Sequence, residues 1–156
     1  MTGSAMAEFR VMGIAVASGR IGYVVLANDQ LLDWAVSQAA SRSPERALSK
    51  ATEWIELLKP EAVVTEAPGS NPRKRGATTV LMEAVHKAAQ DSAAISIATT
   101  KVRHHKDKYR EAEVLAEEFP ELLPRLARKP ACWLSEPRRM ILFEALALAL
   151  RLRETQ

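Results

Sequence analysis

The hydrophobic positions change period once along the chain, and the change separates two kinds of structure. Phe9 to Ala17 is apolar and rich in β-formers, and Ser18-Gly19 then supplies turn chemistry. Gly22 to Ala27 repeats the pattern, Asn28-Asp29 gives a second turn, and Leu31 to Ser37 alternates weakly. Three short strands joined by tight turns predict an antiparallel meander.

From Ser43 the spacing becomes helical. Ser43-Pro44 places a capping hydroxyl before a proline at the first helical position. Leu48, Ala51, Trp54, Ile55 and Leu58 then recur every three or four residues, and Lys59-Pro60 ends the run. Trp54 reads as core packing on this spacing. Ala62 to Glu66 is a short buried strand, broken by Pro68-Gly69-Ser70-Asn71-Pro72. Ala77 to Gln90 is a second helix with Val80, Leu81, Ala84, Val85 and Ala88 on one side, and His86 among them reads as a packing residue. Ala94 to Ala98 is a fifth strand, and Tyr109 to Glu118 is helical. Phe119 to Lys129 is a short helix interrupted by Pro124, and Glu136 to Arg153 is a long final helix. The order βββ-α-β-α-β-α implies an α/β fold, a five-stranded mixed sheet flanked by helices. Residues 8–154 form one domain on this reading, with residues 1–7 an added or disordered start.

Composition narrows the class. Hydrophobic residues are 47% of the 156 and charged residues 26%, enough for a packed core. No apolar run approaches the ~20 residues that span a bilayer, so no membrane partner is expected. The single cysteine, Cys132, excludes an internal disulfide and a cysteine-rich zinc site, and points to a reducing cytoplasm. Trp133 beside it reads as packing. The net charge of +3 says little by itself. Its distribution says more: cations gather in Arg73-Lys74-Arg75, Lys101 to Lys108 and Arg125 to Lys129, with Arg138-Arg139 beyond. Clustered cations on a small domain fit a polyanion surface, while scattered solubilising charge accounts for the composition equally well.

Two carboxylates stand in surroundings that do not suit them. Glu66 ends the apolar strand 62–65, and Glu144 is the lone polar side chain between Met140 and Leu150. Burying a carboxylate without a partner costs several kcal/mol, so each needs a cation, a proton or a hydrogen-bond donor. Emergence of Glu144 at an edge, or pairing with Arg151, would satisfy it structurally.

Gly13-Ile14-Ala15-Val16-Ala17-Ser18-Gly19-Arg20-Ile21-Gly22-Tyr23 resembles the opening of the RuvC-like Holliday junction resolvases of the ribonuclease H-like superfamily. In that family the first strand and turn read roughly Gly-Ile-Asp, a short turn bearing Ser and Gly, then Gly-Tyr. Val63-Val64-Thr65-Glu66 resembles the strand that carries the family's glutamate. Glu144-Ala145-Leu146-Ala147-Leu148-Ala149 resembles its final helix, where an acid precedes Ala-Leu-Ala. The three segments occur in the family's order and cover most of the chain, from Val11 to Leu150.

The resemblance implies a ribonuclease H-like fold and metal-dependent cleavage of branched DNA, above all four-way junctions. It implies a homodimer, with the helix Ala77 to Gln90 as contact surface. Two Mg2+ ions (or Mn2+) about 4 Å apart would be held by oxygen ligands, as hard cations require. Glu66 and Glu144 would be two of those ligands. The family's first aspartate falls on Ala15, which holds no metal, and a further acid or histidine of the family falls on Ile141. The chain as it stands is therefore expected to be inactive. The intact surroundings of Ala15 read as those of an aspartate exchanged for alanine. Arg73, Lys74 and Arg75, which follow Glu66 closely, and Lys101, Arg103, His104, His105 and Lys106, which follow the fifth strand, are candidate phosphate contacts. The adjacent histidines lack the helical spacing of a zinc pair.

Two other readings compete. Sugar kinases and actin-like ATPases share the core but need a second such domain, for which this chain is too short. A ribonuclease H-like module that binds structured nucleic acid without cutting it is compatible with Ala15. Ala15→Asp separates that module from an interrupted nuclease.

Overall fold

The structure, a computed structural model, describes residues 9–28, 30–69, 76–100, 108–121 and 140–154. Its strands are β1 (Arg10–Ala17), β2 (Arg20–Ala27), β3 (Gln30–Ser37), β4 (Ala62–Glu66) and β5 (Ile95–Thr99). Its helices are α1 (Pro44–Leu58), α2 (Ala77–Gln90), α3 (Lys108–Glu118) and α4 (Met140–Glu154), with a 3-10 turn at Ala39–Arg42. The expected helix from Phe119 to Lys129 lies outside the described residues beyond Glu121, as do residues 1–7, Cys132, Trp133 and residues 136–139.

The five strands form one mixed sheet in the order β3-β2-β1-β4-β5. β1 to β3 make the antiparallel meander, while β4 and β5 add in parallel beside β1. The hairpin turn between β1 and β2 uses Gly19 at φ 85°, which a residue with a Cβ adopts at a cost.

Helix α1 begins as its sequence requires: the Ser43 hydroxyl accepts a bond from the Arg46 N–H at 3.1 Å, and Pro44 follows at the first helical position. It ends at Lys59, left-handed at φ 48°, whose N–H donates to the Ile55 carbonyl at 2.9 Å. The next residue, Pro60, cannot continue the helix.

Each face of the sheet buries its own core. Met12, Ile14 and Val16 of β1 point toward α1 and α2, joined by Ile21, Tyr23 and Val25 of β2 and Val63 of β4. The alternate residues Ala15 and Ala17, with Val24, Leu26 and Val64, lie under α3 and α4. α4 is buried almost all round, and α3 helps to cover it.

Trp54 is core, as expected, with its ring centroid 4.7 Å from that of Tyr23. The expected face of α2 is partly corrected: Val80 is exposed, and Met82 and Ala89 are buried beside Leu81, Val85 and Ala88. α2 packs on both α1 and the sheet, so its buried arc is wider than one stripe.

The Tyr23 hydroxyl donates to Asp33 Oδ2 at 3.0 Å. Burial first, then this bond and the charge of Asp33, push the phenol well above its ordinary range. The folded protein thus holds the phenolic proton more tightly than the unfolded chain. Stability from this group is complete below about pH 10 and falls as the pH rises beyond it. Tyr23→Phe is expected to cost about 1 kcal/mol at neutral pH and to flatten the alkaline fall. Urea midpoints measured for both proteins between about pH 8 and about pH 11 check both effects.

Candidate active site

The two carboxylates singled out by their surroundings belong to elements that share one face of the sheet. β1 and β4 run parallel with Gly13 opposite Val64 and Ile14 opposite Thr65, so Ala15 and Glu66 occupy the next rung. Val64 belongs to the core under α4, and the period of two along β4 sets Glu66 on that same face. Ala15 belongs to that core too and is 1% exposed. Ala67 extends the pairing past the strand, its N–H donating to the Thr99 carbonyl at 2.9 Å.

α4 crosses this face, packing on β1, β2 and β4. Two glycines let it come close. A methyl built on Gly13 would meet the Ala145 carbonyl oxygen and lie 2.8 Å from the Ala149 nitrogen. One built on Gly22, the cross-strand partner of Ala15, would lie 3.0 Å from the Ile141 side chain. These two contacts fix the direction and depth of the helix. Glu144 stands three residues after Ile141 and one before Ala145, within the part of the helix they anchor. It is 7% exposed and Glu66 is 4% exposed. Neither carboxylate is without a partner.

Sequence reading found Glu66 and Glu144 by their misfit with apolar neighbours. It missed Gly13 and Gly22 as the seat of α4, although a glycine inside a strand is itself a sign of close approach. His86 is half-buried, as expected of a packing residue, and its Nδ1 lies 3.3 Å from the hydroxyl of the buried Thr65. That contact falls on the opposite face from Glu66.

The expected phosphate contacts Arg73, Lys74 and Arg75, and Lys101, Arg103, His104, His105 and Lys106, lie outside the described residues. The first stretch follows β4 and the second follows β5, two parallel strands that end at the Glu66 side of the sheet.

Among the described residues, no group of three or more His, Cys, Asp or Glu side chains is placed to hold a metal ion. Residue 15 of this face carries only a methyl group, and Ile141, 0% exposed, packs over Gly22 beside it. Hard cations need several oxygen ligands, so this donor set does not fit a two-cation centre.

Structural comparison places the architecture. RuvC of Thermus thermophilus aligns with a TM-score of 0.60 and 22% identity, covering 90% of this chain and 91% of that one. The same protein in complex with Holliday junction substrate aligns at 0.54 and 22%, over 91% and 90%. The Fowlpox virus resolvase in complex with Holliday junction DNA aligns at 0.63 and 11%, over 94% of this chain and 97% of that one.

The chain has the RuvC resolvase fold.

No family model and no curated protein matches the chain by sequence. The resolvase fold is thus recognised through its arrangement of strands and helices rather than through overall identity. Among the described residues, no helix is long and apolar enough to cross a membrane.

Proposed function

We propose that this chain is a RuvC-like protein that binds branched DNA, four-way junctions above all, and whose phosphodiester-cleaving centre is interrupted at Ala15. One observation carries the reading: Glu66, Glu144 and residue 15 share one face of a resolvase fold, with both carboxylates buried where an apolar core would otherwise continue. Two inward acids are costly to keep in a core. They are what a phosphodiester-cleaving centre retains when a single member is lost.

In this chain cation binding is weakened and cleavage lost, because alanine supplies no oxygen at position 15 and leaves only Glu66 and Glu144 as donors. What its residues do is bind. Glu66 and Glu144 mark the place of the scissile phosphate, and the cations that follow β4 and β5 hold the flanking backbone. Loss of an acid at position 15 removes repulsion from that phosphate, so binding survives loss of cleavage. A homodimer belongs to the proposal, because a four-way junction presents two symmetry-related strands. Val80 is the large apolar side chain that α2 leaves exposed for such a contact.

The protein as it stands is expected to retard a four-way junction more strongly than linear duplex, and to leave both uncut with or without Mg2+. Replacing Arg73, Lys74 and Arg75 together by alanine is expected to weaken binding and to lower the slope of log affinity against log salt by up to about three. Fluorescence anisotropy over a salt series measures both. An unchanged slope would remove that stretch from the interface.

A further inference from the structure

The hairpin between β1 and β2 closes at the end of the sheet that holds Ala15 and Glu66, and it brings an arginine there. Arg20 opens β2 opposite Ala17 and stands two residues before Gly22. Gly22 faces Ile141 of α4, so the period of two along the strand sets Arg20 on the same face. By register, its Cα lies two strands across from that of Glu66 and two residues further along, about 12 Å away. An extended arginine side chain covers much of that distance.

Arg20 is half-buried, and its Nη1 donates to the Ser18 carbonyl at 3.2 Å. The guanidinium is a rigid fork of five N–H donors, and the bond to Ser18 uses one of them. The position also makes electrostatic sense. A DNA strand laid across this face brings its phosphates toward two buried carboxylates, and a fixed cation on the same face offsets that like charge. With its Cα about 12 Å from that of Glu66, Arg20 stands within reach of a backbone phosphate near the one at the carboxylates.

We infer that Arg20 is a phosphate-contacting residue of this face, engaging a backbone phosphate near the one that lies at Glu66 and Glu144. The inference rests on the nucleic-acid reading above and adds to it a residue that the basic stretches of the sequence do not include.

Arg20→Ala, Arg20→Gln and Arg20→Lys are compared with the unaltered protein on a fluorescent four-way DNA junction, between about 50 and about 300 mM salt. Alanine and glutamine are expected to weaken binding about tenfold at low salt and to reduce the salt slope by about one. Lysine restores the slope as a point charge but only part of the affinity, because it lacks the fork. Thermal unfolding of each variant separates this from the bond to Ser18: a residue that only ties the turn lowers the melting temperature and leaves the slope alone. Salt-dependent binding with the same slope in the alanine and glutamine variants overturns the inference and leaves the DNA reading standing. Failure of the unaltered protein to bind the junction overturns both.

Discussion

Ala15→Asp is expected to make the stability of the protein depend on divalent cations and to give it cleavage of four-way junctions. The new carboxylate would enter a face that already buries Glu66 and Glu144. Without a cation, three acids share one low-dielectric site, and the variant loses about 3 kcal/mol at neutral pH. Oxygen donors at 15, 66 and 144 together make a site for Mg2+, and a cation at about 100 times its dissociation constant returns about 2.7 kcal/mol. Melting curves with and without Mg2+ read this independently of any catalysis. The unaltered protein should show no comparable response. On a junction, the variant should cut in Mg2+ and stay silent in chelator. Adding Glu66→Gln or Glu144→Gln should then reduce the rate at least about 100-fold while the fold persists, since the amide keeps the shape and loses the charge. A variant that responds to Mg2+ in neither stability nor cleavage would establish a binding module instead of an interrupted nuclease. Full cleavage with either glutamine would remove that residue from the site.

The second large effect is purely one of packing. Gly13→Ala is expected to cost about 3 kcal/mol or more. Its methyl would run into the main chain of α4 at Ala145 and Ala149, and backbone inside a buried helix cannot swing aside as the tip of a side chain can. The helix would have to lift off the sheet or slide along it, taking Glu144 with it. Gly22→Ala should be milder, because the atom it meets at 3.0 Å belongs to the Ile141 side chain, although the Ala35 carbonyl lies at 3.3 Å. Urea unfolding of the two variants checks the order: the Gly13 variant must be the less stable.

Much of the fold is legible because local signals agree with the tertiary structure. The bounds of β4 and α2 follow from hydrophobic period alone, 62–66 and 77–90. The start of α1 follows from Ser43 and Pro44. What stays hidden is set by contacts between distant residues. Nothing local says that β4 pairs in parallel with β1, or that Val80 turns outward while Met82 and Ala89 turn in. Those outcomes depend on where α1 and the sheet press on α2. The site divides the same way. Glu66 and Glu144 betray themselves by being acids in apolar runs. Residue 15 is an alanine in an alanine-rich strand, and only its resemblance to a known motif marks it. The part played by Gly13 needs α4 in place to be seen at all.

The seat of α4 on Gly13 also bears on the order of assembly. β1 precedes the helix that covers its site face by more than a hundred residues, so it is made well before it. The meander and the layer of α1 and α2 can form from near neighbours in sequence. The Ala15 face stays uncovered until residues 140–154 exist and have found their way back across the sheet. Such a contact closes a very long loop, and folding slows as loops of that kind dominate. During synthesis this apolar face is the part of the molecule most open to wrong partners. Glu66 on that face is then still in water, and it is desolvated only when α4, carrying Glu144, docks in the final step.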